Sequence, residues 1–80
     1  MLYFFNQVGS IRDTDDVGTE LADTAEAKIE AVKFASEILR DCPEILMGGQ
    51  DLRIEVSNDQ GLIQFTVIVM GIDAPSTQGS

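Results

Sequence analysis

The stretch Asp13-Thr14-Asp15-Asp16-Val17-Gly18 holds the residues best suited to chemistry in this chain. Carboxylates at alternate positions followed by a glycine open the loops that wrap a calcium ion, because the acids converge on a hard cation and the glycine permits the turn. The match stops there. The fifth position is Val17 where an oxygen ligand is needed, the twelfth is Thr24 where a bidentate glutamate is needed, and a strand precedes the stretch in place of a helix. A solvated acidic hairpin loop is therefore expected. Weak cation binding at Asp13, Asp15 and Asp16, with Glu20 as a spare ligand, is the lesser reading. Cys42 falls at the last turn of a helix, on its apolar arc, beside Asp41 and Glu44. A reactive thiol wants a helix N-terminus or a cation nearby, so a packed, inert thiol is expected. Gly48-Gly49 lacks the Lys-Ser/Thr of a phosphate loop and reads as a turn. Acids are plentiful, but none sits in the apolar surroundings that tune a carboxyl for proton transfer. With no histidine, imidazole bases, Ser-His-Asp and Cys-His pairs and most zinc sites are ruled out. No catalytic, metal or cofactor residue is expected, and the chain is not expected to be an enzyme.

Fourteen acids against five bases give a net charge of −9, and Arg53 is the only base beyond residue 40. Phosphate binding needs clustered Lys and Arg, so nucleic acid is not an expected partner, nor is an anionic membrane surface. The apolar runs Leu2–Phe5 and Val67–Met70 are far shorter than the ~18 residues of a spanning helix. One thiol and no export signal make the cytoplasm the expected location. A hydrophobic content of 44% is too high for a disordered acidic chain, so the 80 residues are expected to form one domain over 1–70 with a flexible tail over 71–80. Such a domain buries only about 60% of its unfolded surface and commonly leans on a disulfide, a metal or a partner. A lone cysteine cannot form the first internally.

Residues 2–8 read as a strand with Tyr3 and Phe5 on one face and Leu2 and Phe4 on the other. After the Gly9-Ser10 turn, residues 11–17 suit a short polar second strand. Asp23 is the expected cap of a helix starting near Thr24, with Glu26 completing a capping box and Leu21 and Ala22 leading in. Ala27, Ala31, Val32, Phe34, Ala35, Ile38, Leu39 and Cys42 share its apolar arc. Lys28 lies on that side with its ammonium reaching water, and Ile29 is the reverse exception. Pro43 ends the helix. Ile45, Leu46 and Met47 are expected to seal the end of the core. Leu52, Ile54 and Val56 alternate inward against Arg53, Glu55 and Ser57, and Asn58–Gly61 makes a hairpin loop. In the last strand, 62–70, Ile63, Phe65, Val67 and Val69 share one face, and Leu62, Ile68 and Met70 share the other with Gln64 and Thr66. The fold class is α+β: β-β-α-β-β, a four-stranded antiparallel sheet with one helix packed on one face. Because the first and last strands are apolar on both faces, they are expected at the centre, with 11–17 and 52–57 at the edges.

Tyr3-Phe4-Phe5, Ile11-Arg12-Asp13 through Gly18-Thr19-Glu20-Leu21, the Ala-rich helix with Glu30-Ala31-Val32 and Ala35, and Arg53-Ile54-Glu55-Val56 through Gly61 together resemble a family of short bacterial proteins grouped as a domain of unknown function. The resemblance extends to about Val69. It implies a small single domain with no assigned activity. Members usually carry histidine after Tyr-Phe-Phe, where this chain has Asn6, so a role for that imidazole does not carry over.

One helix, about 10 Å across, covers only one face of four strands spaced ~4.8 Å apart. Either Leu2 and Phe4 or Tyr3 and Phe5 then join Leu62, Ile68 and Met70 on an uncovered face, a patch large for a monomer. The leading expectation is a small acidic, non-catalytic protein-interaction module, a homodimer or a complex with another protein, with Leu2, Phe4, Leu62, Ile68 and Met70 at the interface. In the competing monomeric reading, residues 45–47 or the tail cover that face. The alternative function is an antitoxin-like regulatory domain that neutralises a basic protein. A strand pair followed by a helix is similar to the Hic-type antitoxins, and a charge of −9 steers a cationic partner.

Overall fold

In the aromatic opening run, alternation sends Tyr3, Phe5 and Gln7 to one side of β1 (Leu2–Gly9) and Leu2, Phe4, Asn6 and Val8 to the other. The structure, a computed structural model, describes residues 1–9 and 11–75. Tyr3 is fully buried, and its hydroxyl shares a 3.0 Å hydrogen bond with Thr24 Oγ1 at the head of the helix. Residues 76–80 of the expected tail lie outside the described residues.

Helix α1 (Thr24–Asp41) starts where its cap dictates: the Asp23 carboxylate accepts from the Glu26 amide at 2.9 Å. Glu26 reaches back as expected but takes the Ala22 amide at 3.1 Å, one residue further than a standard capping box. Ala27, Ala31 and Ala35 form its buried stripe, and their small side chains let the helix settle closely over β3 (Asp51–Ser57) and β4 (Ile63–Met70). Pro43 ends the helix as expected and opens a stretch of 3-10 turns, Pro43–Gly49, that is broken at Met47 and Gly48, where the backbone leaves the helical region. Ile45 there is buried and Leu46 half-buried, but Met47 is exposed, so two of the three residues expected to seal the core do so. Leu52, Ile54 and Val56 are the deepest part of the core, as their alternation requires. The β3–β4 hairpin turns through Gly61 at φ +78°, while the Asn58 side chain accepts from the Gln60 and Leu62 amides.

The architecture is the expected α+β sheet and helix, all antiparallel, but the strand order is β2-β1-β3-β4. The alternating strand β3 is central and the doubly apolar β4 is an edge, the reverse of the expectation. The reason is that alternation reports which face is solvated and says nothing of how many neighbours a strand bonds; β3 has one wet face and two hydrogen-bonded sides. The second strand also moves. β2 is Thr19–Glu20, paired with Leu2 and Tyr3, and among the described residues the only backbone pairing of 11–17 with β1 is an isolated Gln7–Asp13 bridge. A register shift between Val56 and Ser57 pairs Ser57 with Ile63, taking Ile63 out of the Phe65 row and leaving Ser57 buried where solvent was expected.

Candidate functional site

Of the acids singled out for chemistry, Asp15 organises the loop. Its Oδ1 accepts from the Val17 and Gly18 amides, both at 3.0 Å, and its Oδ2 from the Phe5 amide of β1 at 3.1 Å. Burial pushes the Asp15 carboxyl up, but the amides of Gly18, Phe5 and Val17 outweigh it and hold the group below the ordinary aspartate value. The Asp15 amide in turn donates to Asn6 Oδ1 at 2.9 Å. A side-chain oxygen thus occupies the β1 amide that a second strand would have bonded, which is why residues 11–17 run as a loop. Both Asp15 oxygens are taken up by amides, and among the described residues no group of three His, Cys, Asp or Glu side chains is placed to hold a metal. Asn6 has a structural task here that sequence reasoning missed; the signal was the polar pair Asn6-Gln7 interrupting an apolar strand.

Between this loop and α1 lies a groove of about 590 Å³ with Phe5 and Phe34 in its wall and Asp13, Asp16, Glu30 and Glu37 around it. Among the described residues Lys33 is its only base, 3.6 Å from Glu30. The groove exists because α1 sits over β3 and β4 and leaves the front of β1 partly open. Its chemistry suits a cationic group with an apolar stem.

On the far face, pairing lays out rows across three strands: Phe4–Ser57–Ile63, Asn6–Glu55–Thr66 and Val8–Arg53–Ile68. Tyr3 and Phe5 point to the helix, so Leu2 and Phe4 are the pair on this side. Both are half-buried, and Gly18 closes on them: a Cβ there would lie 3.0 Å from Phe4 and 3.1 Å from Leu2. They do not join Ile68 and Met70 in one patch, because Asp51, Arg53 and Glu55 of β3 run between, with Arg53 bonded to Asp51 at 3.0 Å. Ile68 and Met70 are more than half exposed, as is Leu62 in the hairpin.

Cys42 is not packed: it is the C-cap of α1, its amide still donating to the Ile38 carbonyl at 2.8 Å while its backbone leaves the helix at φ −134°, and it is exposed. Val32 on the same arc is also exposed, because the alanine stripe turns the helix toward the sheet and rolls Val32 to its flank. Ile29 is exposed as expected, and the Lys28 ammonium stands 5.5 Å from the Phe65 ring centre.

A family model for a domain of unknown function, DUF6894, matches residues 2–70, spanning every element from β1 to the end of β4. The chain belongs to this family. No curated protein and no solved structure matches it significantly. The DUF6894 domain of this chain therefore includes the acidic loop, the groove and both edges of the sheet. Among the described residues, no helix is long and apolar enough to cross a membrane.

Proposed function

We propose that the chain is a small, acidic, non-catalytic protein-interaction module of the bacterial cytoplasm that self-associates through its sheet, on the β4 side. The observation that carries this reading is the exposure of Leu62, Ile63, Ile68 and Met70, all 53–60% accessible, on a strand and hairpin with no charged residue between Gly61 and Gly71. Burying the exposed part of these four side chains against a partner is worth about 5 kcal/mol before the costs of association. Leu2 and Phe4, which the sequence reading grouped with them, belong to the loop-covered half and are left out of the contact. A single free thiol suits a reducing compartment. Light scattering on the chromatographed protein tests the proposal: a species of twice the 8.7 kDa chain mass is expected. A single 8.7 kDa species at high micromolar concentration overturns it.

The acidic groove favours a second reading, in which the domain masks a basic protein in the manner of an antitoxin. Its test is a titration with a cationic partner at two salt concentrations; binding that is indifferent to salt, or absent, removes this reading.

A further inference from the structure

The hydrogen-bond pattern reveals which backbone groups of β4 face outward. On β1, the Phe5 amide goes to Asp15 and Gln7 exchanges bonds with Asp13, so the odd residues of β1 face away from β3. Phe4, Asn6 and Val8 therefore bond Ser57, Glu55 and Arg53, which leaves Leu52, Ile54 and Val56 to bond Val69, Val67 and Phe65 of β4. It follows that the N–H and C=O groups of Thr66, Ile68 and Met70 point off the edge, and no described residue pairs with them. Edge strands are normally short, charged, broken by proline or covered, since a bare ladder invites another chain. β4 is eight residues long and has no Lys, Arg, Asp, Glu or Pro.

The geometry points to a second copy of this chain as the occupant of that edge: two β4 strands pair antiparallel about a two-fold axis, joining two four-stranded sheets into one. This rests on the self-association proposed above and specifies its mode. Three observations select an identical copy. The strand is apolar on both faces, the composition of a central strand, and it becomes central only when another strand adds to it. A chain of net charge −9 meets itself with least repulsion where acids are absent, and β4 is such a segment, whereas Asp13, Asp15, Asp16 and Glu20 crowd the opposite edge. Finally, a two-fold perpendicular to the sheet keeps both helices on one side, so the exposed Ile29 and Val32 beside Phe65 gain cover from the same partner.

Residue-resolved hydrogen exchange on the wild-type chain, at concentrations above and below dissociation, tests the mode. The Thr66, Ile68 and Met70 amides are expected to exchange at least about tenfold more slowly in the dimer than in the monomer. Thr66→Pro, which removes one outward N–H at an edge position that tolerates proline, is expected to remain folded by circular dichroism and to be monomeric. A dimer whose outward amides exchange as fast as in the monomer, or a folded Thr66→Pro dimer, overturns edge pairing while self-association stands. A wild-type monomer at every concentration overturns both. If Thr66→Pro does not fold, the wild-type exchange decides alone.

Discussion

The two edges of the sheet are built in opposite ways. The β2 edge is two residues long, is followed into the helix by a capped turn, and is flanked by a loop whose Asp15 takes up three amides, one of them from β1. The β4 edge is eight residues long and uncharged, and no described residue pairs with it along Thr66, Ile68 and Met70. One sheet margin is thus closed by local polar bonds and like charge, the other left with the composition of an interior strand. A small domain that cannot bury enough surface alone gains from such an asymmetry, because it directs association to one side and blocks open-ended stacking from the other.

The largest way to break this contrast is Ile68→Lys, which puts a charge at the centre of the open edge. The self-association constant is expected to weaken about 100-fold, or roughly 3 kcal/mol, by sedimentation, with Thr19→Lys on the closed edge changing it by less than about threefold. A comparable loss from both substitutions would erase the distinction between edges. Next in size, Asp15→Ala strands the Phe5, Val17 and Gly18 amides and is expected to cost about 2 kcal/mol in urea denaturation at neutral pH. The sign of its pH dependence follows from a carboxyl held below its unfolded value. The stabilisation is complete above about pH 4 and fades as pH falls through the lower folded value, so Asp15→Asn should be closer to wild type at pH 3 than at pH 7. An unchanged gap at the two pH values would show that Asp15 acts by shape alone. Smaller again, Gly18→Ala meets a positive φ of 79° and close contacts with Phe4 and Leu2, for an expected loss of about 1.5 kcal/mol in the same assay. The smallest effect is that of salt: raising ionic strength should tighten self-association a few-fold by screening two copies of charge −9, whereas binding of a basic partner in the groove should weaken.

Much of the fold was legible because its signals are local. Asp23 and Glu26 announce the start of α1, Pro43 its end, the alternation at 52–57 the buried row, and Gly61 the hairpin. What was not legible depends on partners distant in sequence. Nothing near Asp15 says that its carboxylate will take the Phe5 amide ten residues earlier and displace a strand, nor that Asn6 will hold the loop in return. Strand order failed for a related reason: apolar faces report burial of side chains, and β4 carries on both faces what a central strand carries while lying at the margin. The same mismatch that misled the ordering is the basis for the proposed contact. Val32 differs from the expectation because a 100° projection cannot show how a stripe of alanines rolls a helix onto its sheet, and Cys42 because it is the cap residue at which the backbone leaves the helix.

The most direct measurement is a concentration series of amide spectra on the labelled wild-type chain, read residue by residue at both edges. Shifts that saturate together at Thr66, Ile68 and Met70 and at Ile29 and Val32 are expected, with Asp13 through Glu20 unmoved. Spectra that do not change up to high micromolar concentration, or changes confined to the acidic edge, would contradict pairing of two copies along β4.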